Sequence, residues 1–351
     1  MSRTSRGVAL TAALAIALIV GITLSAVIGQ LSITPTEVAG SLLRAIGIST
    51  GWAPTDPIIE STLWVVRFPR VVMALAVGAA LAVAGAVMQA VFGNPLAEPG
   101  VVGVASGAAF GAALGIVLGG GLGLAGGIGG VGTAALAFAG GLLATLVVYA
   151  VSRSGGRTEV VTLLLTGIGV NAVAGAGLAF LLFAGTAASR EQIVFWQLGS
   201  LNGSRWEEVA IVAVVAAVGT GIALGIAGRL NLLALGERSA RHLGVNVEAL
   251  RLGSIVLVAL LTGVAVAFCG IIAFVGLVVP HLIRMAIGPS HRPLVLASAV
   301  GGGALLVYAD LLARTIVAGA DLPIGMLTSL VGGPFFFYLL YRQRKRSGGW
   351  A

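Results

Sequence analysis

Ten stretches of this chain are apolar over lengths that suit a lipid bilayer. They run at about 8–30, 63–91, 104–119, 130–152, 159–183, 206–228, 250–275, 281–288, 293–316 and 323–341, the third and eighth being short. A run of about eighteen or more apolar residues with few charges can cross the hydrocarbon layer as a helix. With no water there, every backbone amide must be satisfied within the protein, which leaves helices or closed barrels. The polar–apolar alternation of a lipid-embedded barrel strand is absent. With 58% hydrophobic and 9% charged residues, a water-soluble fold could not hide the apolar surface. The expected fold is all-α: a polytopic integral membrane protein of about ten transmembrane helices, forming one domain over residues 1–351. Arg3 and Arg6 precede the first stretch in the manner of a signal peptide. That stretch is long for such a leader and no convincing small-residue cleavage site follows, so it is expected to be a retained helix.

The chain also echoes itself. Gly78, Gly85 and Pro95 stand seven and ten residues apart, and Gly263, Gly270 and Pro280 repeat those intervals 185 residues later. About five spans separate the copies, so they cross the membrane in opposite directions. An inverted internal repeat around broken helices is a transporter signature.

Lys and Arg placement sets the expected orientation. With the N-terminus inside, six of the 20 basic residues fall in outer segments (Arg44, Arg67, Arg70, Arg190, Arg205, Arg314) and the rest in cytoplasmic ones. Both termini are therefore expected in the cytoplasm, and the net charge of +8 is mainly a topology signal. The basic tail RQRKR abuts a membrane helix, which argues against nucleic acid as a partner. The single Cys269 lies within a span and permits no intrachain disulfide. The longest polar stretches are two outer loops at about 31–62 and 184–205 and a cytoplasmic segment at about 229–250. The run GGGLGLAGGIGG at 119–130 reads as an outer loop with helix ends.

No G-x-x-x-x-G-K-[ST] loop is present, so any ATP that drives this protein must be hydrolysed by another chain. His242, His281 and His291 are scattered, without carboxylate or cysteine at metal-ligand spacing. No nucleophile–base set occurs either, so neither catalytic nor metal-binding residues are expected, and the chain is not read as an enzyme.

Gly103, Gly107, Gly111, Gly115 and Gly119 recur every fourth residue and line one face of the third span. Small residues so spaced let helix backbones approach closely. Asp310 and Arg314 are four apart on one helix and can pair; Arg314 can equally extend to water at its span's end. Arg67 and Arg70 stand at the outer mouth of the second span, where they would contact lipid headgroups or hold the carboxylates of an acidic partner. The segment RLNLLALGERSARHLGVNVEALR, from Arg229 to Arg251, is too long for a simple helix connection. It carries a short helical stretch, Glu237 to Leu243, between two glycines. Thr166, Asn171, Thr328 and Ser329 on the fifth and tenth spans either line a path or bury against neighbouring helices, and Asn171 in mid-span needs a partner or a wet cavity.

Five segments together resemble the FecCD family of ABC-importer permeases. They are RFPRVVMALAVGAALAVAGAVMQAVFGNPLAEPGVVGVASGAAFG, FWQLGSLNGSRW, LALGERSARHLGVNVE, GIIAFVGLVVPHLIRM and ADLLARTIVAGADLPIGMLTSLVGGPFFFYLL. Small departures are IAFVGLVVPH where the family usually has Gly-Phe, and ADLPIG where Glu often precedes Leu. The resemblance implies a bacterial plasma-membrane permease, multi-pass, that takes up iron–siderophore, haem or cobalamin. It implies a second permease subunit (the same chain or a pseudo-symmetric partner), two cytoplasmic ATPase subunits and an extracytoplasmic substrate-binding protein. An iron–siderophore is the expected iron-chelate substrate, with haem or cobalamin as alternatives; an ion-coupled secondary transporter is the alternative from another class. No cofactor is expected in this chain, ATP and magnesium belonging to the ATPase. By the same resemblance Arg67, Arg70 and Arg314 receive acids of the binding protein. Gly236, Glu237, Arg238, Ser239, Ala240, Arg241, His242, Leu243 and Gly244 form the ATPase coupling helix, and the loop from Arg153 to Thr162 corresponds to an inner gate.

Overall fold

The computed structural model describes residues 3–121, 129–154, 157–317 and 319–346. Most of the glycine run at 119–130 lies outside these residues, as do positions 155 and 156 of the expected gate. Among the described residues, eight helices are long and apolar enough to cross a membrane, and two shorter apolar helices, Val104–Gly119 and Val275–Ile287, bring the bundle to ten. Helix α1 (Arg3–Val27) is followed by α2 (Pro35–Ala45) and α3 (Pro57–Ser61). Thr34 caps α2 in a reciprocal box with Glu37, and Pro35 occupies the first turn, where a missing amide costs little. One π-helical segment, Thr62–Arg67, joins α3 to α4 (Phe68–Val91), so the second span is continuous over Pro57–Val91. A 3₁₀ turn, Pro99–Val102, then leads into α5 (Val104–Gly121), α6 (Gly129–Val151) and α7 (Val160–Ala184). Helices α8 (Ala187–Leu198), α9 (Trp206–Leu233) and α10 (Glu237–His242) connect to the second half. That half comprises α11 (Val247–Cys269), α12 (Val275–Ile287), α13 (His291–Ala313) and α14 (Ile324–Arg346). The order long, short, long, long in α4–α7 recurs in α11–α14.

Helix α4 is the hub. Its span window is 83% buried, against 72% for α11 and α13. It packs on α13, α9, α11 and α12, and α1 lies outside against α13. Glycine makes these contacts possible. A Cβ on Gly78 would stand 2.2 Å from the Gly302 carbonyl oxygen of α13, so the two backbones touch there. The four-residue glycine rhythm of α5 serves the same end: Gly107 and Gly111 face the carbonyls of Gly140 and Leu136 on α6. The peripheral helices differ sharply, with only 11% of the α1 and α7 windows buried and 28% of α14.

Two expectations need correction. The seventh span was expected to continue to 275 and the eighth to start at 281. Instead α11 ends at Cys269 because Gly270 turns into the left-handed region (φ 69), and α12 begins at Val275 with Pro280 inside it. Pro280 cannot donate to the carbonyl four residues back, that of Gly276. That carbonyl is where Gly85 of α4 comes in closest. The matched glycines and prolines therefore occupy different local settings. Gly85 is a mid-helix contact and Gly270 a helix stop, while Pro95 lies in a connector and Pro280 in a helix. The repeat is carried by the order of helices rather than by those six positions.

Candidate functional site

Most of the candidate side chains gather at the two ends of the bundle. The end where α1 starts and α14 finishes is the terminal side; the opposite end is the far side. On the far side, Arg67, Arg70 and Arg314 come together, as their assignment to one role requires. They are not free cations. Arg67 is 4% exposed and donates to the carbonyls of Ala26 and Val27 at the end of α1, at 2.6 and 2.7 Å, and to that of Leu31. A helix C-terminus offers unsatisfied carbonyls and a partial negative charge, which suits a guanidinium. Arg70 holds Asp310 in a fork, with Nε at 2.9 and 3.1 Å from its two carboxylate oxygens, and reaches Asp321 through Nη1 at 2.7 Å. Arg314 donates to the Ser25 hydroxyl at 2.6 Å and stands 3.8 Å from Asp310. The expectation of outward-facing cations is thus corrected. Each guanidinium lies at a junction of α1, α4 and α13, where burial demands a partner inside the chain. Asp321, in the turn before α14, is the most exposed member of this network, its side chain 28% exposed.

On the terminal side, α10 spans Glu237–His242 between Gly236 (φ 102) and Gly244 (φ 83), where the sequence predicts a short helical stretch between two glycines. Both glycines occupy backbone space that other residues avoid, which makes the helix a short, sharply bounded knob. Arg238, Ser239, Arg241, His242 and Leu243 are exposed, and Ala240 is buried. The knob is anchored from beneath by Arg251 in the second turn of α11. This side chain is 2% exposed and binds Glu237 directly, with Glu248 at 3.4 Å. Arg241 adds contacts to Glu237 and Glu248 at 3.5 and 3.9 Å. Sequence reasoning counted Arg251 only as a basic residue in a cytoplasmic segment; its spacing from Glu237 carries no signal of this contact.

Replacing Arg251 by Met leaves the Glu237 end of α10 untied. A hydrogen bond to a charged group contributes about 1.5–3 kcal/mol, so amide exchange across Glu237–Leu243 is expected to quicken about ten-fold or more. Exchange at the wild-type rate in Arg251→Met would remove the anchor from this account.

The four candidate path residues divide. Asn171 has found its partner in Ser106 of α5, at 2.5 Å. Thr328 is buried and bonds back to the Gly325 carbonyl at 3.1 Å. Thr166 lines a cavity of about 930 Å³ between α5, α6 and α7, where it is the one polar side chain. Ser329 is exposed on α14. The expected gate contains a two-residue ladder in which Arg153 pairs with Thr158 and Ser154 with Arg157.

A further contact was not foreseen. Glu98, in the α4–α5 connector, accepts a hydrogen bond from the Phe274 amide at 3.1 Å. Phe274 is the one non-glycine residue with positive φ (66°) among the described residues, and its ring covers Gly332 of α14. The break between α11 and α12 is thereby tied to both the first half of the chain and the last helix.

Residues 17–342 match the model of the FecCD transport family. The chain belongs to the FecCD transport family. The hemin transport system permease protein HmuU of Yersinia pestis is 44% identical over 288 residues, covering 82% of this chain and 85% of that one. The cobalamin import system permease protein BtuC of Halobacterium salinarum is 36% identical, covering 98% and 99%. A solved structure described as an inward-facing conformation of a putative metal-chelate type ABC transporter superposes with a TM-score of 0.81 at 32% identity, covering 95% and 98%. As a FecCD member this chain is a multi-pass membrane permease and not itself an enzyme.

Proposed function

We propose that this FecCD permease forms the membrane pathway of an ATP-driven importer of a metal chelate, and that the chelate is haem. The observation that carries the cargo is the 44% identity to a hemin permease, against 36–38% to permeases named for cobalamin. The iron–siderophore expected from the sequence is the second reading, supported by the resemblance alone. An ion-coupled carrier has little to work with. Asp310 is the only fully buried acidic residue among the described residues, and it is spent on Arg70.

The terminal side is read as cytoplasmic from the Lys and Arg distribution. The knob from Gly236 to Gly244 would then meet an ATPase, and its tie through Arg251 would carry ATPase closure into α11. A second permease subunit would pack against α7 and α14. These helices leave small and polar residues such as Gly169, Gly175 and Ser329 exposed beside Phe183 and Leu330. Small residues of that kind are enriched where membrane helices meet. A pathway between the two copies would have almost no charge in its lining, which suits a largely apolar macrocycle. On the far side, a carboxylate of a binding protein would exchange with Asp321 for Arg70, since Asp321 is the partner nearest the surface.

The test is uptake by the assembled transporter in vesicles, with haem, a ferric siderophore and cobalamin offered separately through their binding proteins. Haem accumulation dependent on internal ATP is expected. Uptake of cobalamin or siderophore with none of haem would overturn the cargo assignment while leaving the family intact.

A further inference from the structure

Two cavities meet along the groove between α9 and α11, the first of them also walled by α6. One, of about 480 Å³, has apolar walls that include Val215, Val218, Leu257 and Leu261. The other, of about 600 Å³, opens at the terminal side between Ile226, Arg229, Asn246 and Ser254. Ile222 lines both. Their chemistry changes along the groove, from wholly apolar in the bilayer interior to mixed at its edge.

The edge cavity has three features suited to an anionic head. Arg229 is exposed at its mouth. The cavity reaches the start of α11, where Asn246 caps the Ala249 amide at 3.0 Å and the helix dipole is positive. Glu248 in the same turn is engaged with Arg251 and Arg241. Ser254 is 1% exposed, lines this cavity, and its hydroxyl has no hydrogen-bond partner. A buried polar group without a partner costs about 1–3 kcal/mol, so a ligand oxygen reaching Ser254 would be favoured.

We propose that this groove holds a phospholipid with an anionic headgroup, drawn from the cytoplasmic leaflet. Its phosphate lies by Arg229 and the α11 N-terminus, its ester oxygens by Ser254, and one acyl chain in the apolar cavity. The dimensions agree. Along α9 the apolar cavity begins at Ile222, about 10 Å from Arg229, and runs on to Ile211, about 27 Å away, so an acyl chain entering beside Arg229 fills its near end. Basic pockets between helices on the cytoplasmic side suit anionic lipids because that leaflet carries them. The proposal rests on the Arg229 end of α9 facing the cytoplasm and is independent of the cargo.

The experiment is native mass spectrometry of the full chain in mild detergent, after incubation with phosphatidylglycerol or phosphatidylcholine of matched acyl chains. The wild type is expected to retain phosphatidylglycerol under collision energies that strip phosphatidylcholine. One arginine near an anionic surface contributes about 1 kcal/mol, so Arg229→Gln should lower that preference about five-fold. Arg153→Gln, which removes a charge on the same side away from the groove, should keep it, and phosphatidylcholine adducts of Arg229→Gln report that this variant is folded. Millimolar inorganic phosphate should leave the lipid in place. Equal retention of the two lipids, an unchanged preference in Arg229→Gln, displacement by phosphate, or expulsion of the lipid when the ATPase binds would each overturn the assignment.

Discussion

Asp310→Ala is expected to leave little folded protein, and the double replacement Arg70→Met with Asp310→Leu to recover most of it. Arg70 is 9% exposed at its side chain, and Asp310 accepts three contacts from it, two from Nε at 2.9 and 3.1 Å and one from Nη2 at 2.9 Å. Removing the acid strands a buried guanidinium with Asp321 alone, and breaking a buried pair in this way costs about 3–5 kcal/mol. Whole domains are stable by only about 5–15 kcal/mol, so the single change approaches the total. Replacing both partners by apolar residues of similar size removes the charges and their desolvation together, which is often neutral or better. The readout is folded yield and thermal midpoint by size-exclusion chromatography in detergent. Equal loss in the single and double variants would show that the pair itself does not hold α4 to α13. The same geometry bears on the docking role. Reversing Arg67 and Arg70 to Glu cannot test it cleanly, because both side chains support the fold before any partner arrives.

Gly85→Val should be as damaging for a different reason. A Cβ at Gly85 would stand 1.7 Å from the carbonyl oxygen of Gly276 and 2.4 Å from its carbon, and both belong to backbone. No side-chain rotation relieves that overlap, so α4 and α12 must separate. Overpacking a tight interior typically costs about 1–3 kcal/mol when side chains can adjust, and a backbone clash exceeds that range. Gly221→Val on α9 is the matched control, since a Cβ there meets nothing within 4 Å. The control should keep a normal yield while Gly85→Val loses nearly all of it. Equal yields would mean that the α4–α12 contact is looser than its glycines indicate.

What could be read from the sequence follows from how local each determinant is. Hydropathy alone located ten apolar helices, with the bounds of the seventh and eighth misplaced, because a membrane helix must satisfy its own backbone along one continuous segment. The α5 glycine rhythm and the glycine-bounded knob at α10 are likewise written within a few residues. The stop at Gly270 was missed because one glycine in an apolar run looks the same whether it packs, as Gly263 does against Phe138, or turns the chain. The Asp310–Arg314 pair was legible from its four-residue spacing, but the links of Arg70 were missed for a stronger reason. Arg70 lies 240 residues from Asp310 and 251 from Asp321, so no pattern along the chain connects them. The close approach of α4 and α13 at Gly78 and Gly302 brings Arg70 to Asp310, and the turn before α14 adds Asp321. Family resemblance named three arginines that the fold brings together, and within a single subunit the chain's own carboxylates and carbonyls hold them.

On the proposed function, this permease moves its cargo by transmitting the ATP-driven closure of a partner. The most direct measurement is the ATPase rate of the transporter purified through this chain and reconstituted in vesicles, with and without haem-loaded binding protein. The account predicts a co-purifying ATPase whose rate rises with loaded binding protein in step with haem entry. A chain that carries its cargo alone down an ion gradient, with no ATPase attached and no response to binding protein, would contradict it.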